Sequence, residues 1–130
     1  MKSIKLLRQI EVTRDSYYSD NPDIIYLNFI YKDIEYQIFI KEKGRSYAAI
    51  NYSDYKNNMY ISLSIDKNSD FKIPSEIKPL FLNSKHSKSK GDKTFISAQV
   101  DINDVAKFID EYVTEYELKI APSSYFKSIS

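Results

Sequence analysis

Ile24-Ile25-Tyr26-Leu27-Asn28-Phe29-Ile30-Tyr31, then Lys32-Asp33, then Ile34-Glu35-Tyr36-Gln37-Ile38-Phe39-Ile40, reads as two strand patterns hinged on a polar dipeptide. Successive side chains of a strand point to opposite faces, so residues two apart share a face. Folding the chain at Lys32-Asp33 places Tyr31 opposite Ile34, Phe29 opposite Tyr36, Leu27 opposite Ile38 and Ile25 opposite Ile40. Every pair on that face is apolar, and a slip of one residue would turn the set to solvent, so the register is strongly specified. Lys-Asp is not a favoured two-residue turn, which leaves open a slightly longer loop with the same register.

A second hairpin is expected to close around Ser53-Asp54-Tyr55-Lys56-Asn57-Asn58, with Tyr52 facing Met59, Ile50 facing Ile61 and Ala48 facing Leu63. Gly44, between the hairpins, suits a turn that needs positive φ. Ile4 to Val12 fits an earlier strand, and Thr94 to Val100 fits a later one with Ile96, Ala98 and Val100 inward. Asp101 then starts the clearest helix as its cap, with Asp104 three residues on. Val105, Phe108, Ile109, Tyr112, Val113 and Tyr116 recur at helical spacing as its apolar stripe. Ser75 is a candidate cap for a shorter helix carrying Ile77, Leu80 and Phe81, since Pro79 falls within the first turn. The Lys/Ser-rich stretch from Asn83 to Lys93, with Gly91, reads as a mobile surface loop.

The expected fold is therefore α+β: a mostly antiparallel five- to six-stranded sheet built from two hairpins, packed by one long C-terminal helix and one short helix. Residues 1–121 are expected to form one domain and 122–130 a C-terminal tail that ordinarily frays, although Tyr125, Phe126 and Ile129 are able to dock on a neighbour.

At 130 residues the chain is large enough to bury a core without disulfides or metals. The absence of cysteine excludes a disulfide framework, a thiol nucleophile and a Cys-ligated zinc or iron–sulfur site. Arg8, Gln9 and Glu11 cut the first apolar run too early for a signal peptide. No stretch approaches the ~20 apolar residues of a membrane helix, so a soluble, cytoplasmic protein with no membrane partner is expected. Twelve tyrosines and two glycines mark a composition biased to residues with A/T-rich codons, a bias common in accessory bacterial and phage genes. Net charge is only +1, yet residues 101–117 carry six acids against the single Lys107, while 66–100 carry seven lysines against four acids. Such segregation produces local fields of opposite sign.

Three groups of residues are candidate sites. The second face of the sheet is expected to carry Tyr26 opposite Phe39, Asn28 opposite Gln37, Asn51 opposite Tyr60, and Tyr47 opposite Ser64. Rings interleaved with amides suit a Tyr-rich protein interface or stacking on single-stranded bases, unless helices or a second layer cover them. Asp104, Asp110, Glu111, Glu115 and Glu117 lie off the helix stripe and are able to meet a basic partner, though the plainer reading is a solvated face. Lys107–Glu111 and Glu115–Lys119 would neutralise part of it. The stretch with Lys85, Lys88, Lys90 and Lys93 resembles a phosphate-contacting loop, but Lys without Arg gives charge and little bidentate readout, and the plainer reading is a solvated loop.

Catalysis is poorly supported. His86 is the lone imidazole and sits in the Lys/Ser-rich loop, whereas general-base chemistry wants a held and tuned group. No Gly-rich phosphate cradle, HExxH or nucleophile elbow is present. The expectation is a small binding protein, not an enzyme, with no cofactor and no metal. Its leading form is an immunity protein that neutralises a bacterial toxin, such as a nuclease, by direct protein–protein binding. The alternative is a single-stranded nucleic-acid-binding module that uses the aromatic sheet face and the Lys-rich loop.

Overall fold

A computed structural model describes residues 2–13, 22–41, 50–52, 58–66, 72–82, 85–86 and 92–126, and the following statements concern these residues. The fold is α+β, an antiparallel sheet with one long and one short α-helix. Chain order is α1 (Lys2–Leu7), β1 (Glu11–Thr13), β2 (Asp23–Tyr31), β3 (Ile34–Ile40), β4 (Ile50–Asn51), β5 (Met59–Asp66), β6 (Lys85–His86), β7 (Lys93–Gln99), α2 (Ile102–Tyr112) and β8 (Glu115–Pro122). Two 3-10 turns add Lys78–Phe81 and Ser123–Phe126.

The first hairpin forms in the expected register, with Tyr31↔Ile34, Phe29↔Tyr36, Asn28↔Gln37 and Leu27↔Ile38. Its turn is tight, because Lys32 (φ 50°) and Asp33 (φ 65°) both take the left-handed conformation of a two-residue type I′ turn. The pairing of Ile25 with Ile40 does not occur. Ile25 lies between Glu11 of β1 and Ile120 of β8, while Ile40 lies opposite Met59.

The second hairpin is replaced by other pairings. Both edges of β5 are taken, by β3 (Ile38↔Ile61, Tyr36↔Leu63) and by β7 (Ile61↔Ala98, Leu63↔Ile96). No edge is left for Ile50 and Asn51, which pair with Val12 and Glu11 instead. Tyr47, Ala48, Ala49 and residues 53–57 of the expected turn lie outside the described residues, as do Gly44 and Gly91.

The expected strand from Ile4 to Val12 is a helix followed by a short strand. Ser3, Leu6 and Leu7 are buried together, the i, i+3, i+4 signature of a helix face. Asp110 of α2 fixes the choice, accepting bonds from Ser3 N–H at 2.9 Å and Ser3 Oγ at 2.8 Å, while Lys2 Nζ donates to the Val113 carbonyl.

α2 starts as expected, with the Asp101 carboxylate accepting from the N–H groups of Asn103 and Asp104. It stops at Tyr112, one turn before the end of its apolar stripe. Val113 is already extended (φ −86°, ψ 117°), and the β-branched pair Val113-Thr114 favours that exit. Ser75 is not a helix cap: Ile77 occupies that position without a side-chain bond, although Ile77, Leu80 and Phe81 are buried as expected. β7 and β8 both run antiparallel to strands that fix them in the same direction, so α2 is a crossover carrying the chain from one side of the sheet to the other.

The main core lies between one sheet face (Leu27, Phe29, Tyr36, Ile38, Ile61, Leu63) and the helices (Leu6, Leu7, Val105, Phe108, Ile109). Phe29 and Tyr36 stack across the hairpin at 5.2 Å, and Phe29 meets Phe108 at 6.0 Å.

Candidate partner-binding surface

The second sheet face is where the tyrosines were expected to be open. A cross-strand row runs over it, Asn28↔Gln37↔Ser62↔Ser97, and all four side chains are buried. Gln37 Nε2 donates to Asn28 Oδ1 at 3.2 Å, and Ser62 Oγ donates to Gln37 Oε1 at 2.9 Å, so the amides are spent on one another. Beside this row the rings form a second apolar cluster of Ile24, Tyr26, Phe39, Phe95 and Phe126.

Phe126 closes that cluster. Its ring stacks on Phe39 at 4.2 Å and meets Tyr26 edge-on at 5.1 Å, while Tyr125 stacks on Tyr26 at 6.2 Å and meets Phe95 edge-on at 5.5 Å. Ser123 N–H donates to the Pro22 carbonyl at 2.7 Å and pins the segment where it leaves β8. Tyr26 and Phe39 are consequently buried, and burial pushes the Tyr26 phenol up to about 12. Tyr60 remains half-buried, stacked on Phe39 at 5.9 Å with Lys41 Nζ over its ring. Tyr60 lies opposite Phe39 and Gln99, not Asn51. Of the expected aromatic surface, then, the structure brings Tyr26, Phe39 and Tyr60 together but covers the first two.

The acidic residues do not share one helix face. Asp104, Asp110 and Glu111 are on α2, whereas Glu115 and Glu117 are on β8, opposite Ile30 and Asn28 of β2. Asp110 is used internally: the Ser3 N–H and hydroxyl hold its carboxyl below the usual carboxylate range. The expected Lys107–Glu111 and Glu115–Lys119 pairs do not form, and Lys119 Nζ lies 3.3 Å from Glu117 Oε1 instead. Strand geometry explains the exchange on β8, because it sets residues two apart on one side. Asp104, Glu111 and Glu115 are exposed, and Asp104 borders a cleft of about 230 Å³ with Leu80, Leu82 and Val100.

Glu111 is at the end of the helix where the backbone dipole disfavours an anion, and the last turn contains no base. Its neighbour Tyr112 is exposed although it continues the apolar stripe, packing edge-on against Tyr31 at 5.7 Å. Tyr116 and Ile120 on β8 are exposed as well. Sequence reading missed these three because it placed Tyr112 and Tyr116 on one buried helical stripe. The strict alternation Tyr116, Leu118, Ile120 against Glu115, Glu117, Lys119 was the available signal.

Of the lysines, Lys93 is in β7 and its Nζ pairs with Asp66 Oδ1 at 2.8 Å. Lys85 belongs to β6, opposite Ser97, and Lys88 and Lys90 lie outside the described residues. Base stacking on Tyr26 and Phe39 would require Tyr125 and Phe126 to leave. Among the described residues no group of three or more His, Cys, Asp or Glu is placed to hold a metal ion, and no helix is long and apolar enough to cross a membrane.

No family model, curated protein or solved structure gives a significant match to this chain.

Proposed function

We propose that this chain is a small inhibitor of the immunity-protein kind, which neutralises a basic toxin such as a nuclease by direct contact through the exposed side and C-terminal corner of α2. The observation that carries the reading is the exposed group Glu111, Tyr112 and Glu115 at that corner. Two carboxylates there gain nothing from the helix dipole, and the Tyr112 ring, packed on Tyr31 and Phe108, still leaves 38% of the residue in water. An aromatic anchor flanked by acids suits a basic protein surface: the ring supplies buried area and the carboxylates speed encounter. Asp104 extends the same negative field along the helix.

The test is affinity capture of the chain expressed with its genomic neighbours, with bound proteins identified by mass spectrometry. A basic toxin should co-purify stoichiometrically, and its association should slow with added salt and with Glu111→Lys and Glu115→Lys. Loss of binding on Tyr112→Ala would mark the anchor. The reading fails if no neighbouring product is retained, or if capture is indifferent to all three substitutions.

A further inference from the structure

β8 is an edge strand. It bonds to β2 from Glu115 to Pro122, and among the described residues no strand pairs its other side. An unpaired edge of this length is a template for another strand unless something blunts it. Tyr116, Leu118 and Ile120 point to the helix-covered face of the sheet, and Tyr116 (44%) and Ile120 (62%) remain exposed there. Glu115, Glu117 and Lys119 point to the other face.

From this pattern we infer that β8 pairs antiparallel with β8 of a second copy of this chain, about a two-fold axis through Leu118. Directly opposite residues of an antiparallel pair share a face and interact. With Leu118 opposite its own counterpart, Glu117 faces Lys119 of the second copy and Lys119 faces Glu117. Glu115 meets Ala121 on that same face, and on the other face Tyr116 meets Ile120 reciprocally. Charge opposes charge at Glu117 and Lys119, and apolar opposes apolar at Tyr116, Leu118 and Ile120, while Glu115 meets the small Ala121. Moving the axis to Glu117 or Lys119 sets two like charges against each other at the centre. An axis between residues sets Glu117 or Lys119 against an apolar neighbour, and one at Ile120 pairs only Leu118 to Pro122 and forfeits both ion pairs. The isologous contact closes on itself, leaving no free copy of this edge.

A second feature supports the register. A cleft of about 250 Å³ opens between α1 and β8, lined by Lys5, Leu6, Gln9, Tyr116 and Leu118. Ile120 of the second copy, arriving opposite Tyr116, brings an exposed apolar side chain to the rim of that cleft. Lys119 and Glu117, already 3.3 Å apart within the strand, exchange this contact for two across the axis. The pairing uses the strand edge and holds whether or not the α2 corner binds a toxin.

Sedimentation equilibrium of the whole chain tests it. The wild type should show twice the 15.3 kDa chain mass at about 100 μM. Glu117→Lys and Lys119→Glu, each at an exposed position, should separately weaken the dimer about tenfold or more by opposing like charges twice. An equimolar mixture of the two variant chains should reassociate, because one strand then carries only bases and the other only acids at these positions. Ile120→Lys should also yield monomer, with an unchanged far-UV spectrum. A wild type that stays at 15.3 kDa, single variants that leave a dimer intact, or a mixture that fails to reassociate would overturn the inference.

Discussion

Replacing Phe126 by alanine removes the ring that closes the second sheet face. The side chain is 4% exposed and contacts Phe39 and Tyr26 in two different aromatic geometries. Burial of roughly 150–200 Å² at about 25 cal/mol per Å² gives about 4–5 kcal/mol for the whole ring. Two effects reduce that figure: the alanine Cβ stays, and a segment near the chain end relaxes more than a central strand does. The anchor of Ser123 on Pro22 and the β2–β8 ladder keep the segment from drifting away. The expected loss is therefore about 3 kcal/mol. With no tryptophan in the chain, urea unfolding is followed by far-UV circular dichroism and tyrosine fluorescence. The midpoint should fall by roughly 2 M if the slope is near 1.5 kcal/mol per M. A companion NMR titration should show the Tyr26 phenol, now near 12, moving back towards its ordinary value of about 10. A loss below about 1 kcal/mol with an unmoved Tyr26 would refute the reasoning, because the second face would then not depend on Phe126 for its cover.

Three further outcomes follow from the described geometry. Tyr36 is fully buried and its hydroxyl has no hydrogen-bond partner among the described residues, so Tyr36→Phe should leave stability unchanged or raise it by about 1 kcal/mol; a clear loss in urea unfolding would reveal a partner for that oxygen. Asp33→Gly relieves a left-handed non-glycine residue in the type I′ turn and should stabilise by roughly 0.5–1 kcal/mol, with the Phe29–Tyr36 cross-strand NMR contacts retained. Asp110 titrates below its unfolded value, so its hold on Ser3 is complete above about pH 4 and is lost as pH falls through the folded value. Amide protection in α1, taken relative to the intrinsic exchange rate at each pH, should fall over that acid range and, with Asp110→Ala, already at neutral pH; protection that ignores both changes would deny Asp110 this role.

The hairpin pairing from Leu27 to Ile38 and the start of α2 were legible because the physics there is local. In the hairpin every residue on one face is apolar, so only one register buries them. At α2 a single carboxylate satisfies two backbone donors of the first turn. The N-terminal segment was not legible, because Leu6, Leu7 and Ile10 satisfy a helical stripe while Ile4, Leu6, Ile10 and Val12 alternate like a strand. The bond from Ser3 to Asp110, 107 residues away, separates the two. The candidate surface suffered the same ambiguity. Tyr112 and Tyr116 continue the stripe of Phe108 in sequence, yet the helix stops between them, and that shifts Glu115 and Glu117 from a helix to a sheet edge.

By itself the sequence determined an antiparallel α+β chain, the register of its central hairpin, the cap of its long helix and the lack of thiol chemistry. These depend on side-chain periodicity, on one backbone cap and on which residue types are present. Only the tertiary structure decided which strands became neighbours of β5, that Tyr125 and Phe126 fold back over Tyr26 and Phe39, and that β8 is left as an edge. Edge and centre are not properties of a strand's own pattern: they depend on which other segment reaches its hydrogen-bonding groups first and buries more apolar surface there.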